Sequence, residues 1–205
     1  MTVETRKYEK KRRAELEAET RRRITESAVE LHGTVGPSRT SISAVAERAG
    51  VRRSTVYRHF PDEQALFAAC SSHWAASNPL PHLAHWEAVQ DPDERLRSAL
   101  EDLYAFYSRT ERMLENLYRD ERTMPTVRRQ FAAFHEYLTT ARETLVRGRP
   151  ERGRRRDEVR AAIGHALAFT TWRSLVREQG LGNVQAAELM TNLVRDAAAR
   201  RSARA

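Results

Sequence analysis

The chain has 205 residues, and 40% of them are hydrophobic, which is ordinary for a folded protein and excludes a mainly disordered chain. Its 36 lysine and arginine residues outnumber the 28 aspartate and glutamate residues, for a formal net charge of +8. The apolar runs are too short to span a bilayer, and residues 1–23 lack the apolar segment of a secretory signal. The single cysteine, Cys70, cannot form an internal disulfide. We therefore expect a cytoplasmic protein.

The positive charge is concentrated at the start of the chain. Residues 1–23 hold nine basic and five acidic side chains, with only three sizeable apolar ones. Because they cannot bury a face, they form either a mobile arm or a solvated extension of the first helix. A basic front end fits contact with nucleic-acid phosphate, although the arginine bias of a GC-rich genome gives the same excess.

Almost every segment has the helical period, and no run has the alternation of a strand, so we predict an all-α protein of about nine helices. The clearest break along the chain is the Asn-Pro-Leu-Pro sequence at residues 78–81, where we place a domain boundary. The predicted helices lie at about residues 21–32, 41–49, 53–60, 62–76, 92–107, 112–120, 125–147, 157–179 and 184–200.

The most informative stretch is residues 40–66, TSISAVAERAGVRRSTVYRHFPDEQAL. Gly50 stands where the chain needs a left-handed residue to turn sharply between two short helices. Val56 and Phe60 are spaced to anchor the second of these helices to a core, which leaves its polar residues without an apolar role. This pattern is typical of a helix-turn-helix, whose second helix enters the major groove of DNA.

In order and spacing, these motifs resemble the N-terminal part of the TetR (tetracycline-repressor-like) family of transcriptional regulators. The resemblance covers about residues 20–75, from the helix with Ile24, Ala28 and Leu31 through VAERAGV and TVYRHF to the start of the fourth helix. It implies a homodimer whose N-terminal domains grip a palindromic operator. The divisions it implies are a basic N-terminal arm at 1–23, a three-helix helix-turn-helix DNA-binding domain at 24–78, and a larger C-terminal helical bundle for ligand binding and dimerisation at 79–205.

The resemblance also assigns candidate contacts to double-stranded DNA. The candidates for reading base edges are Arg52, Arg53, Ser54, Thr55 and Arg58. The candidates for phosphate contact are Thr40, Ser41, Tyr57 and His59. Arg53 is the first choice for direct readout because a guanidinium can donate to O6 and N7 of guanine together. Glu63 stands where the family commonly has a lysine facing phosphate, so we expect that contact to be lost.

Two further predictions concern the C-terminal bundle. Tyrosine hydroxyls and a histidine beside an apolar stripe are what a mostly apolar pocket requires. We predict a site for a small lipophilic or aromatic inducer, lined by Tyr104, Tyr107, Met113, Phe131, His135 and Phe169. The last two helices are apolar nearly all round, which favours a four-helix dimer interface, the alternative being that both are central to the core of the monomer. The predicted interface residues are Phe169, Trp172, Val176, Met190, Leu193 and Val194.

We expect no metal, no cofactor other than an unknown inducer, no membrane partner and no catalysis. The histidines at 73, 82 and 85 lack recognisable ligand spacing, and no nucleophile, base and orienting residue stand together in a recognisable motif. We therefore predict a ligand-responsive transcriptional repressor. The alternatives are a DNA-binding protein without small-molecule control and a helical enzyme.

Overall fold

The computed structural model describes residues 3–199 and the side chains of residues 8–199. Over this range all regular structure is helical, which confirms the predicted all-α class. Short 3-10 and π turns lie at Pro37–Arg39 and Ser174–Glu178. The ten α-helices of the described range are α1 (Val3–Thr34), α2 (Ile42–Arg48), α3 (Arg53–His59), α4 (Glu63–Ser77), α5 (Leu83–Glu87), α6 (Pro92–Asp120), α7 (Pro125–Val146), α8 (Gly153–Ala166), α9 (Phe169–Arg173) and α10 (Asn183–Ala199).

The chain forms two compact units. The first runs up to Pro79 and also includes Arg112–Phe131, and the second comprises Leu80–Glu111 and the chain from Ala132 onward. The first of the two segments of the first unit ends at Pro79, within the Asn-Pro-Leu-Pro sequence. The first unit also includes the end of α6 and the start of α7, which the sequence analysis had placed in the C-terminal bundle. The functions assigned to the divisions remain predictions.

The first helix is longer than predicted. α1 begins at Val3 rather than at residue 21, so residues 3–23 extend the first helix, and almost all of their described side chains, from residue 8 onward, are exposed. Ion pairs one turn apart, Lys11 with Glu15 and Arg13 with Glu17, lie on this extension. Exposed pairs of this kind each stabilise a helix by about 0.2–0.5 kcal/mol, which partly offsets the absence of a buried face.

The core of the first unit is built from α1 to α4, with one contribution from the start of α7. Its apolar residues recur at the helical spacings from which the helices were predicted. The fully buried members include Ile24, Ala28, Val45, Ala46, Ala49, Val56, Phe60, Leu66, Cys70 and Val127.

The connection from α1 to α2 is held by the end of α6. Gly36 has φ +95°, and a Cβ at this position would collide with the guanidinium of Arg119. The buried carboxylate of Asp120 accepts a hydrogen bond from the main-chain N–H of Ser38 at 2.9 Å, and Arg119 donates to the carbonyl of Val35 at 3.0 Å. Burial opposes ionisation of Asp120, but the hydrogen bonds from Arg119 and Ser38 outweigh it and hold the pKa of the carboxyl below its usual value.

The structure also differs from the sequence analysis in the continuity of two helices. The segment at residues 112–120, predicted as a separate piece, is the continuous end of α6. The helix predicted at residues 157–179 is instead broken, because α8 ends at Ala166 and α9 begins at Phe169, with Ala168 in an extended conformation between them.

Two tyrosines of the second unit stabilise this break. The hydroxyl of Tyr104 donates to the carbonyl of Ala166 at 2.8 Å, and the hydroxyl of Tyr107 donates to the carbonyl of Leu167 at 2.6 Å. Carbonyls that lose their helical partners in a buried place need replacement donors, and the two hydroxyls supply them.

Candidate nucleic-acid interface

The first helix of the motif, α2, begins with a side-chain cap. Ser41 has extended backbone angles, and its Oγ accepts a hydrogen bond from the N–H of Ala44 at 3.1 Å. The hydroxyl of Thr40 donates to the carbonyl of Gly36 at 2.8 Å. The two predicted phosphate contacts at this end therefore also fix the entry of the chain into α2.

The turn between α2 and α3 depends on Gly50. Its φ is +63°, in the left-handed region predicted for it, and the N–H of Val51 then donates back to the carbonyl of Ala46 at 2.9 Å. The turn places α3 across α2 with Val56 and Phe60 in the core, each 1% exposed.

The remaining side chains of α3 form one exposed surface. We call this set the recognition surface, and it comprises Arg52, Arg53, Ser54, Thr55, Tyr57 and Arg58. Thr55 is half-buried and the others are exposed, so the structure brings all five predicted base-reading residues together with Tyr57. Arg52 precedes α3 in an extended conformation and its side chain does not cap the helix.

Within the recognition surface, Arg53 differs from the other two arginines. Its Nη2 donates to the hydroxyl of Tyr57 at 3.2 Å, and its guanidinium carbon lies 5.5 Å from the centre of the Tyr57 ring. This hydrogen bond and, more weakly, the carboxylate of Glu63 raise the pKa of the Arg53 guanidinium. In the described part of the chain, Arg52 and Arg58 make no side-chain hydrogen bond or ion pair.

The C-terminal end of α3 is held by Arg21 of α1. The Nη1 of Arg21 donates to the carbonyl of His59 at 2.5 Å, and its guanidinium stacks over the ring of Phe60 at 4.1 Å. A cation at a helix C-terminus meets the negative end of the helix dipole, and its contact with an aromatic face adds to the attraction. Sequence analysis missed this residue because its partner lies 38 positions away, and the only local signal is its place one turn before the buried Ile24.

His59, another predicted phosphate contact, is half-buried. Its Nε2 is buried and has no hydrogen-bond partner among the described residues. Burial, reinforced by the charges of Arg58 and Arg21, lowers the pKa of the ring, so His59 is neutral near pH 7. A phosphate contact from this residue must use Nδ1 or the main chain.

The start of α4 carries an acidic pair of residues. The side chain of Asp62 caps the helix by accepting from the N–H of Ala65 at 2.7 Å. Glu63 follows it and is exposed. Carboxylates repel the phosphates of a DNA backbone, and this repulsion is the reason to expect no phosphate contact at Glu63. That expectation remains a prediction.

Cys70 is a core residue of the first unit. Its Sγ lies 3.4 Å from Nδ1 of the buried His32 and donates to the carbonyl of Phe67 at 3.2 Å. Burial raises the pKa of the thiol to about 12 and lowers that of His32 to about 4, so both groups are neutral near pH 7. A thiol in this state is a poor nucleophile and a poor metal ligand.

The residues of the predicted ligand pocket divide between the two units. Met113 and Phe131 lie in the first unit, where the Phe131 ring packs edge-on against Tyr118 at 5.0 Å. The other four lie in the second unit. There Tyr104 and Tyr107 are fully buried, Phe169 packs on Tyr107 at 5.4 Å, and His135 is exposed. The pocket as a whole remains a prediction.

The predicted dimer residues also differ in exposure. Phe169, Trp172, Met190 and Val194 are buried within the second unit, and Val176 is half-buried. Leu193 is 50% exposed, and two apolar residues of α10 that were not predicted, Val184 and Leu189, are exposed with it. Four of the six predicted residues therefore belong to the core of the subunit.

No group of three or more histidine, cysteine, aspartate or glutamate side chains in the described range is arranged to hold a metal ion. No helix of that range is long and apolar enough to cross a membrane.

The contact of Arg21 with α3 generates a first prediction. Arg21→Ala should lower the free energy of unfolding by about 1 kcal/mol, since the end of α3 loses a cation and a stacking partner. Urea denaturation followed by circular dichroism measures this loss. The matched control is Arg22→Ala, because the neighbouring Arg22 is exposed and forms ion pairs with Glu19 and Glu26 of the same helix. Equal unfolding midpoints for the two variants would contradict the assigned role.

Comparison with known proteins finds a family model that matches the part of the chain containing the recognition surface. Residues 24–70 match the family model described as "Bacterial regulatory proteins, tetR family". A comparison with curated proteins gives no significant match.

Solved structures with the same fold include a TetR-like transcriptional regulator from a Rhodococcus species, with 20% identity and a TM-score of 0.65 over 88% of this chain and 97% of that one. A TetR-family regulator from Streptomyces coelicolor has 22% identity and a TM-score of 0.57 over 89% of this chain and 80% of that one. One from Thermus thermophilus has 18% identity and a TM-score of 0.59 over 87% and 99% of the two chains. Residues 24–70 are therefore similar to the N-terminal domain of TetR-family regulatory proteins, and the chain shares the fold of these solved structures.

Proposed function

We propose that the protein is a cytoplasmic transcriptional repressor that binds a palindromic operator as a homodimer and releases it when a small ligand binds. It performs no catalysis. The observation that carries the proposal is the recognition surface, on a helix held by the core of a domain that matches the family. The family resemblance supports the dimer, the operator and the ligand.

The recognition surface has the chemistry that DNA recognition requires. Arg52, Arg53 and Arg58 supply cations for phosphate and guanine, and Tyr57 supplies a hydroxyl for phosphate. Phosphate contacts provide affinity without sequence preference, whereas contacts to base edges provide the preference. Two such surfaces related by a dimer axis read an inverted repeat with half-sites about one helical turn apart.

Operator binding is tested with a duplex selected from a random library by the protein itself. Arg53→Ala should weaken binding to this duplex by about 1–3 kcal/mol per half-site and relax the preference over random DNA. Binding of the unaltered protein should also fall steeply with added salt, because phosphate contacts release counterions. Fluorescence anisotropy measures both effects.

The control for operator binding is Arg154→Ala, which removes the same charge from an exposed position on α8. It should leave the preference for the selected duplex unchanged. Failure to select any duplex over random DNA, or binding without salt dependence, would overturn the proposed function.

The proposed dimer uses the exposed side of α10. This helix packs against α8, and four of its apolar residues are buried, namely Ala186, Ala187, Met190 and Val194. Its exposed Leu189 and Leu193, one turn apart, remain for a partner. Burying large aliphatic side chains of this kind contributes about 1.5–3 kcal/mol each, and an isologous interface uses every one of them twice.

Leu193→Asp should convert the dimer into monomers and abolish tight operator binding, because it places a charge in the proposed apolar contact. Light scattering at micromolar concentration reports the mass. The control is Asn192→Asp, which adds the same charge at the neighbouring exposed position without removing apolar surface. A stable monomer of the unaltered protein, or an unaltered dimer of the Leu193 variant, would refute this interface.

The proposed ligand is a small lipophilic or aromatic molecule. Aromatic rings of the second unit pack as one cluster, in which Phe169 contacts Tyr107 and Trp172, each at 5.4 Å. The hydroxyl protons of Tyr104 and Tyr107 are engaged by main-chain carbonyls. Recognition through this cluster therefore rests on apolar and aromatic contact rather than on tyrosine hydroxyls as donors.

A screen of medium-chain fatty acids and substituted phenols should find compounds that raise the melting temperature and release the selected duplex. Phe169→Leu should abolish both effects, because the ligand loses an aromatic contact. The control is Phe67→Leu, which removes a buried ring from the core of the first unit. It should lower the melting temperature, but compounds should still stabilise the protein and release the duplex. Compounds that stabilise the protein but never release DNA would count against ligand control.

A further inference from the structure

The pair formed by Arg53 and Tyr57 joins a predicted base contact to a predicted phosphate contact. The two residues lie one turn apart on α3, and Arg53 donates to the Tyr57 hydroxyl at 3.2 Å while its guanidinium lies 5.5 Å from the ring centre. We infer that Tyr57 is a positioning residue, because its contacts orient the Arg53 guanidinium toward guanine. This inference rests on the proposed function.

The hydrogen-bonding capacities of the two groups permit this double role. A tyrosine hydroxyl accepts through its lone pairs and donates through its single proton, so the bond from Arg53 leaves the proton of Tyr57 free for a phosphate oxygen. A guanidinium has five N–H donors, and four remain after one is given to Tyr57. Two of these suffice for the paired contact to O6 and N7 of guanine.

The restraint matters because arginine is flexible. An unrestrained arginine loses the freedom of several side-chain torsions when it is fixed on a base edge, and that loss opposes binding. The contacts to the hydroxyl and the ring restrict the Arg53 side chain before DNA arrives. Arg52 and Arg58 have no comparable partner in the described part of the chain, which singles out Arg53 as the arginine prepared for directional contact.

The alternative is that the pair is an ordinary contact of an exposed helix, released when DNA binds. In that case Tyr57 contributes only a phosphate contact, and its loss weakens binding to every DNA sequence by the same factor. The two interpretations differ in one measurable quantity. This is the ratio of the dissociation constant for a duplex with 7-deazaguanine, which lacks the N7 acceptor, to the dissociation constant for the same duplex with guanine.

The experiment measures this ratio for the full-length protein and three variants, using the duplex selected by the protein and 7-deazaguanine at each guanine of the half-site in turn. Arg53→Ala should bring the ratio close to one at the guanine that Arg53 reads. Tyr57→Phe keeps the ring and removes the hydroxyl, and it should reduce the ratio about threefold or more at the same guanine, as expected for a weakened bidentate contact. Thr40→Val, which removes a hydroxyl from another predicted phosphate contact, should leave the ratio unchanged.

The double variant Arg53→Ala with Tyr57→Phe completes a thermodynamic cycle. The effect of Tyr57→Phe on the ratio should vanish when Arg53 is absent. Suppose that Arg53→Ala brings the ratio close to one but Tyr57→Phe leaves it unaltered. This result would overturn the positioning role of Tyr57 and leave the proposed function intact. A ratio near one for the unaltered protein at every guanine would instead remove Arg53 from base reading. Circular dichroism of each variant establishes that α3 remains folded.

Discussion

A helix of seven residues cannot hold its own shape in water, and the recognition surface depends on such a helix. Forming α3 fixes the backbone of Arg53–His59 with too few internal hydrogen bonds to offset the lost entropy. Its stability must come from tertiary contacts, which here are the buried Val56 and Phe60 and the guanidinium of Arg21. The groups that hold α3 and the groups proposed to contact DNA are therefore different residues.

The same dependence extends to the approach to α2. The end of α1 and the following turn are held by the side chains of Asn116, Arg119 and Asp120, which bond to the carbonyls of His32 and Val35 and to the N–H of Ser38. Gly36 provides the close approach that lets Arg119 reach the main chain. The first unit is thus completed by residues more than 80 positions along the chain from the segment they hold, and a fragment ending at Pro79 lacks them.

The sequence allowed the all-α class, the helix-turn-helix and the members of the recognition surface to be predicted, because each depends on local periodicity and on one turn at Gly50. The break after α8 could not be predicted in this way. Residues 157–179 continue at helical period, and the donors that stabilise the break are hydroxyls of Tyr104 and Tyr107, about 60 positions away. The role of Arg21 could not be predicted for the same reason, because nothing in the sequence around a guanidinium on a charged helix indicates a partner 38 positions away.

The buried polar groups of the second unit limit how a ligand can be recognised there. The indole N–H of Trp172 donates to Asn183 at 3.0 Å, and the hydroxyls of Tyr104 and Tyr107 donate to main-chain carbonyls. A ligand acceptor that captured one of these protons would leave a buried carbonyl or amide oxygen unpaired, at a cost of about 1–3 kcal/mol. That cost falls on polar ligands and spares apolar ones. The internal hydrogen bonds of this unit therefore support the proposal that its ligand is lipophilic.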